Sequence, residues 1–203
     1  MATRAVILLY DDFDLIDAGG PYEVFLTAAR LLRRDGADGE FEIVLATPGG
    51  RDVTAFGGMT LTRLVDSDTI TSCDVLLVPG TIDVACALAD GALRETIERL
   101  APTAGMTASV CTGAFLLARA GLLDGRAATT HWEDLGDLAA CGEVGSVIAD
   151  VRWVDEGGVL TSGGLTSGMH LALHVVARVA GEDLARRTAR QLDMDWSPEP
   201  ARR

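Results

Sequence analysis

The chain has 203 residues and a mass of 21.3 kDa; 48% hydrophobic and 23% charged side chains describe one soluble globule with matter for a sizeable core. Thirty acidic against seventeen basic residues leave a formal net charge of −13, which excludes the basic footprint that nucleic acid or an anionic membrane surface requires. Every cation is arginine, so lysine-dependent chemistry (Schiff bases, pyridoxal phosphate attachment, the P-loop) is excluded too.

Ala5 to Tyr10 is a continuous apolar run closed by Asp11-Asp12, the pattern of a strand buried on both faces. A helix is expected from about Gly20 to Arg34, with Pro21 in its first turn. Glu42 to Thr47 reads as a second strand, and Val53 to Leu64, with glycines in its middle, as a hairpin or edge strand. Asp74 to Val78 is a short β-rich run ending in Pro79-Gly80. Short helices follow at Asp83 to Ala89 and Leu93 to Leu100, then a strand at Thr107 to Val110 and a helix from Thr112 to Ala120 stopped by Gly121. Ala127 to Thr130, Val151 to Val154 and Val159 to Thr161 are further strand candidates. Thr166 to Ala180 reads as an apolar helix and Asp183 to Met194 as an amphipathic one. Strands alternating with helices imply an α/β fold, a mainly parallel sheet sandwiched between helices. No repeat or linker divides the chain, so one domain over residues 1–203 is expected.

No apolar window reaches the about eighteen residues of a membrane span, and the RAVILLY segment is too short for a secretory signal. The cysteines, Cys73, Cys86, Cys111 and Cys141, form no CxxC pair, which fits neither a zinc knuckle nor a disulfide framework. A cytoplasmic chain with reduced thiols is the expectation.

In parallel sheets the working groups sit where strands lead into helices. Of three such loops (Asp11 to Pro21, Pro79 to Asp83, and Ser109 to Gly113), the last is the sharpest. A strand of small residues runs into Cys111, and Thr112-Gly113 opens a helix, the layout of a nucleophile elbow. A helix N-terminus there would lower the thiol pKa, and the Thr112 N–H would face developing charge. The alternative is a cysteine packed as a small hydrophobe, which is the reading for Cys73, Cys86 and Cys141. Asp17, just before Ala-Gly-Gly-Pro, has the position of a helix cap. His170 and His174 share a helix face at metal half-site spacing, but no third ligand is evident, so they read as packing histidines and no metal is expected. Gly163 to Gly168 reads as a turn followed by an N-cap at Thr166 or Ser167.

The segments Ala108-Ser109-Val110-Cys111-Thr112-Gly113-Ala114, Gly121-Leu122-Leu123-Asp124-Gly125-Arg126 and Ala128-Thr129-Thr130-His131-Trp132 resemble the ThiJ/PfpI superfamily. Within it, Asp14 to Pro21 and Gln191 to Asp195 resemble the isocyanide hydratase branch, and the likeness runs from Val6 to Pro200. The resemblance implies a flavodoxin-like, class I glutamine amidotransferase-like fold. It also implies Cys111 as nucleophile and Asp17 as the acidic partner at its sulfur; the elbow itself gives Thr112 a catalytic part through its N–H. Where protease-like members carry a histidine this chain has Thr112, which counts against peptidase activity. His131 is a possible second base, with a packing role beside Trp132 as the alternative; its spacing from Cys111 is too short for a glutaminase. Gly80, Thr81, Gly164 and Leu165 are expected to line the pocket, with Thr81 standing where a second glycine is usual in the oxyanion site.

The expected reaction is cofactor-free hydration of a small uncharged isocyanide to its N-formamide in a mostly apolar pocket. Two other functions remain. One is a ligand-sensing domain of the AraC-regulator type, whose additional DNA-binding domain this chain would lack; the other is a glyoxalase-like small-molecule enzyme. A homodimer is expected, with Asp17 to Phe25 at its interface.

Overall fold

The computed structural model describes residues 2–36 and 40–200. Its elements in chain order are β1 (Ala2–Leu8), α1 (Leu15–Asp35), β2 (Glu40–Thr47), β3 (Val53–Thr54), β4 (Thr60–Leu61), β5 (Val65–Asp66) and β6 (Val75–Val78). Then come α2 (Val84–Ala89), α3 (Gly91–Leu100), β7 (Met106–Ser109), α4 (Gly113–Arg119), β8 (Ala127–Ala128), α5 (Leu135–Ala140) and β9 (Ser146–Val147). The last are β10 (Trp153–Asp155), β11 (Val159–Ser162), α6 (Thr166–Ala180) and α7 (Glu182–Gln191).

Seven strands form one sheet in the order β10-β11-β7-β6-β1-β2-β5. Every neighbouring pair is parallel except the edge pair β10–β11. Helices α1, α6 and α7 pack on one another in one layer, and α2, α3 and α4 in another. With helices on both faces the central strands are dry, which is why Val6, Ile7 and Leu8 in β1 and Val75 and Leu76 in β6 have no exposed surface. The segment between β2 and β5 folds back as the antiparallel hairpin β3–β4, and β8 pairs with β9 outside the main sheet. No helix among the described residues is long and apolar enough to cross a membrane.

The first helix differs most from expectation. It starts at Leu15, five residues early, and Asp14 is its cap, accepting from the Ile16 N–H at 3.4 Å. Asp17 therefore lies inside the first turn and does not cap. Pro21 lies within the helix and brings no N–H back to the Asp17 carbonyl. Gly20 is there for a packing reason, since a Cβ on it would stand 2.7 Å from Cγ of Met169 on α6. Gly20 thus serves the α1–α6 approach. The apolar face of this segment is spent inside the molecule: Val24 and Phe25 have no exposed surface, so they offer nothing to a second copy. Strands β5 and β9 carry no sequence signal, being too short for a period to show, whereas α5 has its C-cap at Cys141, where the sequence places a helix end.

Candidate active site

Strand β7 delivers the chain into the centre of the sheet's carboxyl edge and breaks there. Cys111 has φ 54°, a left-handed conformation that L residues avoid, and α4 begins two residues later. The turn is pinned from several sides. The Cys111 N–H donates toward the Ser162 and Gly163 carbonyls at 3.2 and 3.3 Å, and the Thr130 hydroxyl donates to the Cys111 carbonyl at 2.8 Å. Gly113 is obligatory, because a Cβ there would lie 2.5 Å from the Val78 carbonyl oxygen. Strain held in place by such contacts is what a nucleophile elbow consists of.

Asp17 meets this elbow from α1. Its side chain is wholly buried, and Oδ2 accepts from the Gly80 N–H at 3.1 Å. Oδ1 makes no hydrogen bond of ordinary geometry, although the Cys111 thiol and the Leu165 N–H lie near enough to favour the ionised form. Burial, and then the charge of Asp14, outweigh those donors and lift the carboxyl to about 7. The thiol is lifted as well, to about 12, first by burial and then by the Asp17 charge, against a lowering by the Thr112 N–H. The expected depression of the thiol pKa does not occur. Helix α4 is only seven residues long, and its end cannot offset burial beside a carboxylate. Two acids in such contact hold one proton between them over a wide pH range.

Thr112 acts on its neighbour across the sheet's edge. Its hydroxyl donates to the Thr81 carbonyl at 2.7 Å and accepts from the Thr81 N–H at 2.8 Å. The Thr81 amide, expected to serve an oxyanion site, is therefore already taken. Thr81 has no positive φ, so replacement of the usual glycine costs no backbone strain here. Gly80 is irreplaceable: a Cβ on it would come within 2.7 Å of the Thr112 hydroxyl and 2.8 Å of Asp17 Oδ2.

Cys111, Thr81, Thr112, His131 and Leu165 line one cavity of about 250 Å³ with Asp14, Ile82, Glu133 and Asp134. Three carboxylates sit in its wall. His131 turns Nδ1 to Asp134 at 3.2 Å, with Glu133 at 3.9 Å, so the ring is oriented by carboxylates and not by the thiol. Gly164 passes against its ring, where a Cβ would overlap Cδ2. Leu165, at φ 53°, is strained like Cys111 and takes the position ahead of α6 with no side-chain cap, so neither Thr166 nor Ser167 is the cap. Asp14 and Asp134 were missed as site residues. Both stand three positions from one already singled out, Asp17 and His131, Asp14 as the cap of α1 and Asp134 at the end of the turn that starts at His131.

The remaining candidates lie elsewhere. Cys73 is buried and pushed up to about 11 by that burial, while Cys86 and Cys141 are exposed. His170 and His174 have separate partners, Arg152 and Asp155, so their spacing has a packing use. A larger cavity, about 580 Å³ and walled by Arg51, Asp68, Glu95 and Arg99, is lined by no cysteine or histidine.

The chain is 30% identical to the isonitrile hydratase of Pseudomonas putida over 200 residues, 98% of this chain and 81% of that one. It is 29% identical to the transcriptional regulator GbdR of Pseudomonas aeruginosa over 88% of this chain, which spans only 47% of the regulator. A ThiJ/PfpI family protein from Pseudomonas syringae has the same fold, with a TM-score of 0.83 at 24% identity over 98% of this chain and 77% of that one. The model of the DJ-1/PfpI family matches residues 3–178, a span that holds the elbow, Asp17 and the Cys111 cavity, and the chain belongs to that family.

Proposed function

We propose that the protein hydrates a small isocyanide to the corresponding N-formamide, with Cys111 as nucleophile and Asp17 as proton shuttle. The observation that carries this reading is the buried Asp17 carboxyl set against the Cys111 thiol, in a chain similar over nearly its whole length to an isonitrile hydratase. The pair with one shared proton is the reactive form.

As the sulfur bonds to the isocyano carbon, the thiol proton passes to Asp17, which returns it to the same carbon to give an enzyme-bound thioimidate. Water then adds to that carbon. Asp17 takes one water proton and delivers it to the nitrogen, leaving a tetrahedral adduct that carries a hydroxyl. The C–S bond breaks, the hydroxyl proton ends on sulfur, and the formamide leaves with the thiol restored. The sum is isocyanide plus water, so no cofactor or oxidant enters. Thr112 holds the loop of Gly80 and Thr81 against the elbow, and its N–H faces the sulfur that must carry charge.

The likeness to GbdR favours a second reading, a domain that binds a small molecule without turning it over. Purified protein assayed with an alkyl isocyanide, with formamide followed between pH about 6 and 9, separates the two. Formamide at a rate that scales with enzyme and vanishes in Cys111→Ser supports the hydratase. Its absence across that range overturns the hydratase and leaves the binding domain.

A further inference from the structure

Three arginines among the described residues are partly buried: Arg4, Arg152 and Arg187. Arg4 pairs with Glu42 at 3.5 Å and Arg187 with Asp183 at 3.3 Å. Arg152 pairs with no carboxylate among the described residues. Its guanidinium meets the His170 ring at Nδ1, 2.7 Å away, and again at Nε2. That ring stays neutral, because burial and then the Arg152 charge hold its pKa down to about 4. In a chain of −13, a half-buried positive charge therefore stands without a counter-ion, an arrangement that costs free energy unless something else supplies the negative charge.

Arg152 faces a cavity of about 350 Å³ that it shares with His170, Thr166, Trp132, His131 and Leu165. His131 and Leu165 belong also to the wall of the Cys111 cavity, so the two spaces adjoin. The position of Arg152 is fixed by the same loop: its carbonyl accepts from the Gly163 N–H at 3.0 Å, one residue before Gly164 and Leu165. Thr166 opens the fifteen-residue helix α6, whose positive end adds to the field there. Asp195 and Glu199 line another cavity that Arg152 and His170 also border, without an ion pair to Arg152. The Cys111 cavity has the opposite character, with Asp14, Glu133 and Asp134 in its wall.

We propose that this annex receives a carboxylate carried by the substrate, with Arg152 as its counter-charge and the determinant of specificity. The inference rests on the hydratase reading and names its substrate class, an isocyanide bearing a carboxylate, whose product is an N-formyl amino acid. Repulsion from Asp14, Glu133 and Asp134 keeps the anionic end away from the thiol, and Arg152 accepts it beyond His131. The uncharged isocyano group is then the end that reaches Cys111.

The test compares isocyanoacetate with its methyl ester, in the wild type and in Arg152→Gln and Arg152→Lys. The wild type should favour the carboxylate in kcat/KM by about tenfold or more, the scale of one charge-assisted hydrogen bond. Arg152→Gln should erase that preference, mainly through KM, and Arg152→Lys should restore part of it. Because the readout is a ratio of two substrates on one enzyme, a partly misfolded variant does not mimic the effect. An equal ratio in wild type and Arg152→Gln overturns the proposal. A binding measurement separates its failure from failure of the hydratase reading: N-formylglycine should raise the melting temperature of the wild type more than its methyl ester does, and not that of Arg152→Gln. If neither isocyanide turns over, the hydratase reading falls and this shift alone decides the annex. A shift equal for acid and ester overturns it.

Discussion

The chemistry proposed for Cys111 and Asp17 can be tested one atom at a time. Cys111→Ser should reduce turnover to background, while Cys73→Ala, Cys86→Ala and Cys141→Ala should keep it, since those thiols lie outside the cavity. Asp17→Asn retains an acceptor for the Gly80 N–H but can neither take nor return a proton. Turnover should drop by about a hundredfold or more, with Asp17→Glu in between. Because Asp17 is lifted to about 7, activity that needs one proton on the pair should rise with pH through about 7 and then level. Asp14→Asn tests the cause: asparagine still caps α1, but loss of the Asp14 charge should move that rise to lower pH. Stability has the opposite sign. Between the ordinary carboxyl range and about pH 7 the folded protein holds a proton on Asp17 that the unfolded chain has released, so stability falls as pH rises through that window. In melting curves at pH 5 and 8, Asp17→Asn should therefore lose less stability at the higher pH than the parent does.

At the scale of elements, the site depends on how closely three backbones approach one another. Gly113 lets α4 start against the end of β6, and Gly80 lets the loop after β6 pass between Asp17 and Thr112. The two glycines should respond differently to alanine. Gly113→Ala sets a methyl against backbone carbonyls that cannot move aside, and should destabilise the fold by roughly 1–3 kcal/mol in a denaturant titration. Whereas all three close contacts at Gly113 are backbone, Gly80→Ala pushes on one backbone atom, the Thr112 nitrogen, and on two side chains that can shift, the Thr112 hydroxyl and Asp17 Oδ2. It should keep more of the stability and lose most of the activity. Equal melting and equal kinetics in the two variants would contradict the assignment of Gly80 to the site.

Over the whole molecule, two well exposed apolar side chains, Ile82 and Leu165, line the Cys111 cavity, and a third, Trp132, lines the cavity that adjoins it. Large apolar groups clustered on an otherwise charged surface mark a contact face. A homodimer through this face is expected in light scattering at micromolar concentration, and Ile82→Asp should shift it toward monomer. The part of Asp17 to Phe25 available to such a contact is its outward edge, Gly19 and Glu23, because the apolar residues of that segment fill the core. A parent protein that is monomeric throughout would remove the dimer.

Much of the fold was written in local patterns. The apolar runs at Ala5 to Tyr10 and Asp74 to Val78 and the helix from Thr166 to Ala180 carry their own periodicity, and that determined the α/β class. The strand-cysteine-helix order at Ser109 to Gly113 likewise placed the elbow, because an elbow is a local feature of the chain. What only the tertiary structure decided is which groups meet there. Asp17 reaches the Gly80 N–H across 63 residues, and Thr112 closes the Thr81 amide across 31. Arg152 comes to the annex because an antiparallel edge strand returns it to Gly163. A pKa, a free donor or an unpaired charge depends on burial and on neighbours distant in sequence. The sequence therefore located Cys111 and Asp17, but only packing raised both their pKa values, occupied the Thr81 N–H and left Arg152 without a counter-ion.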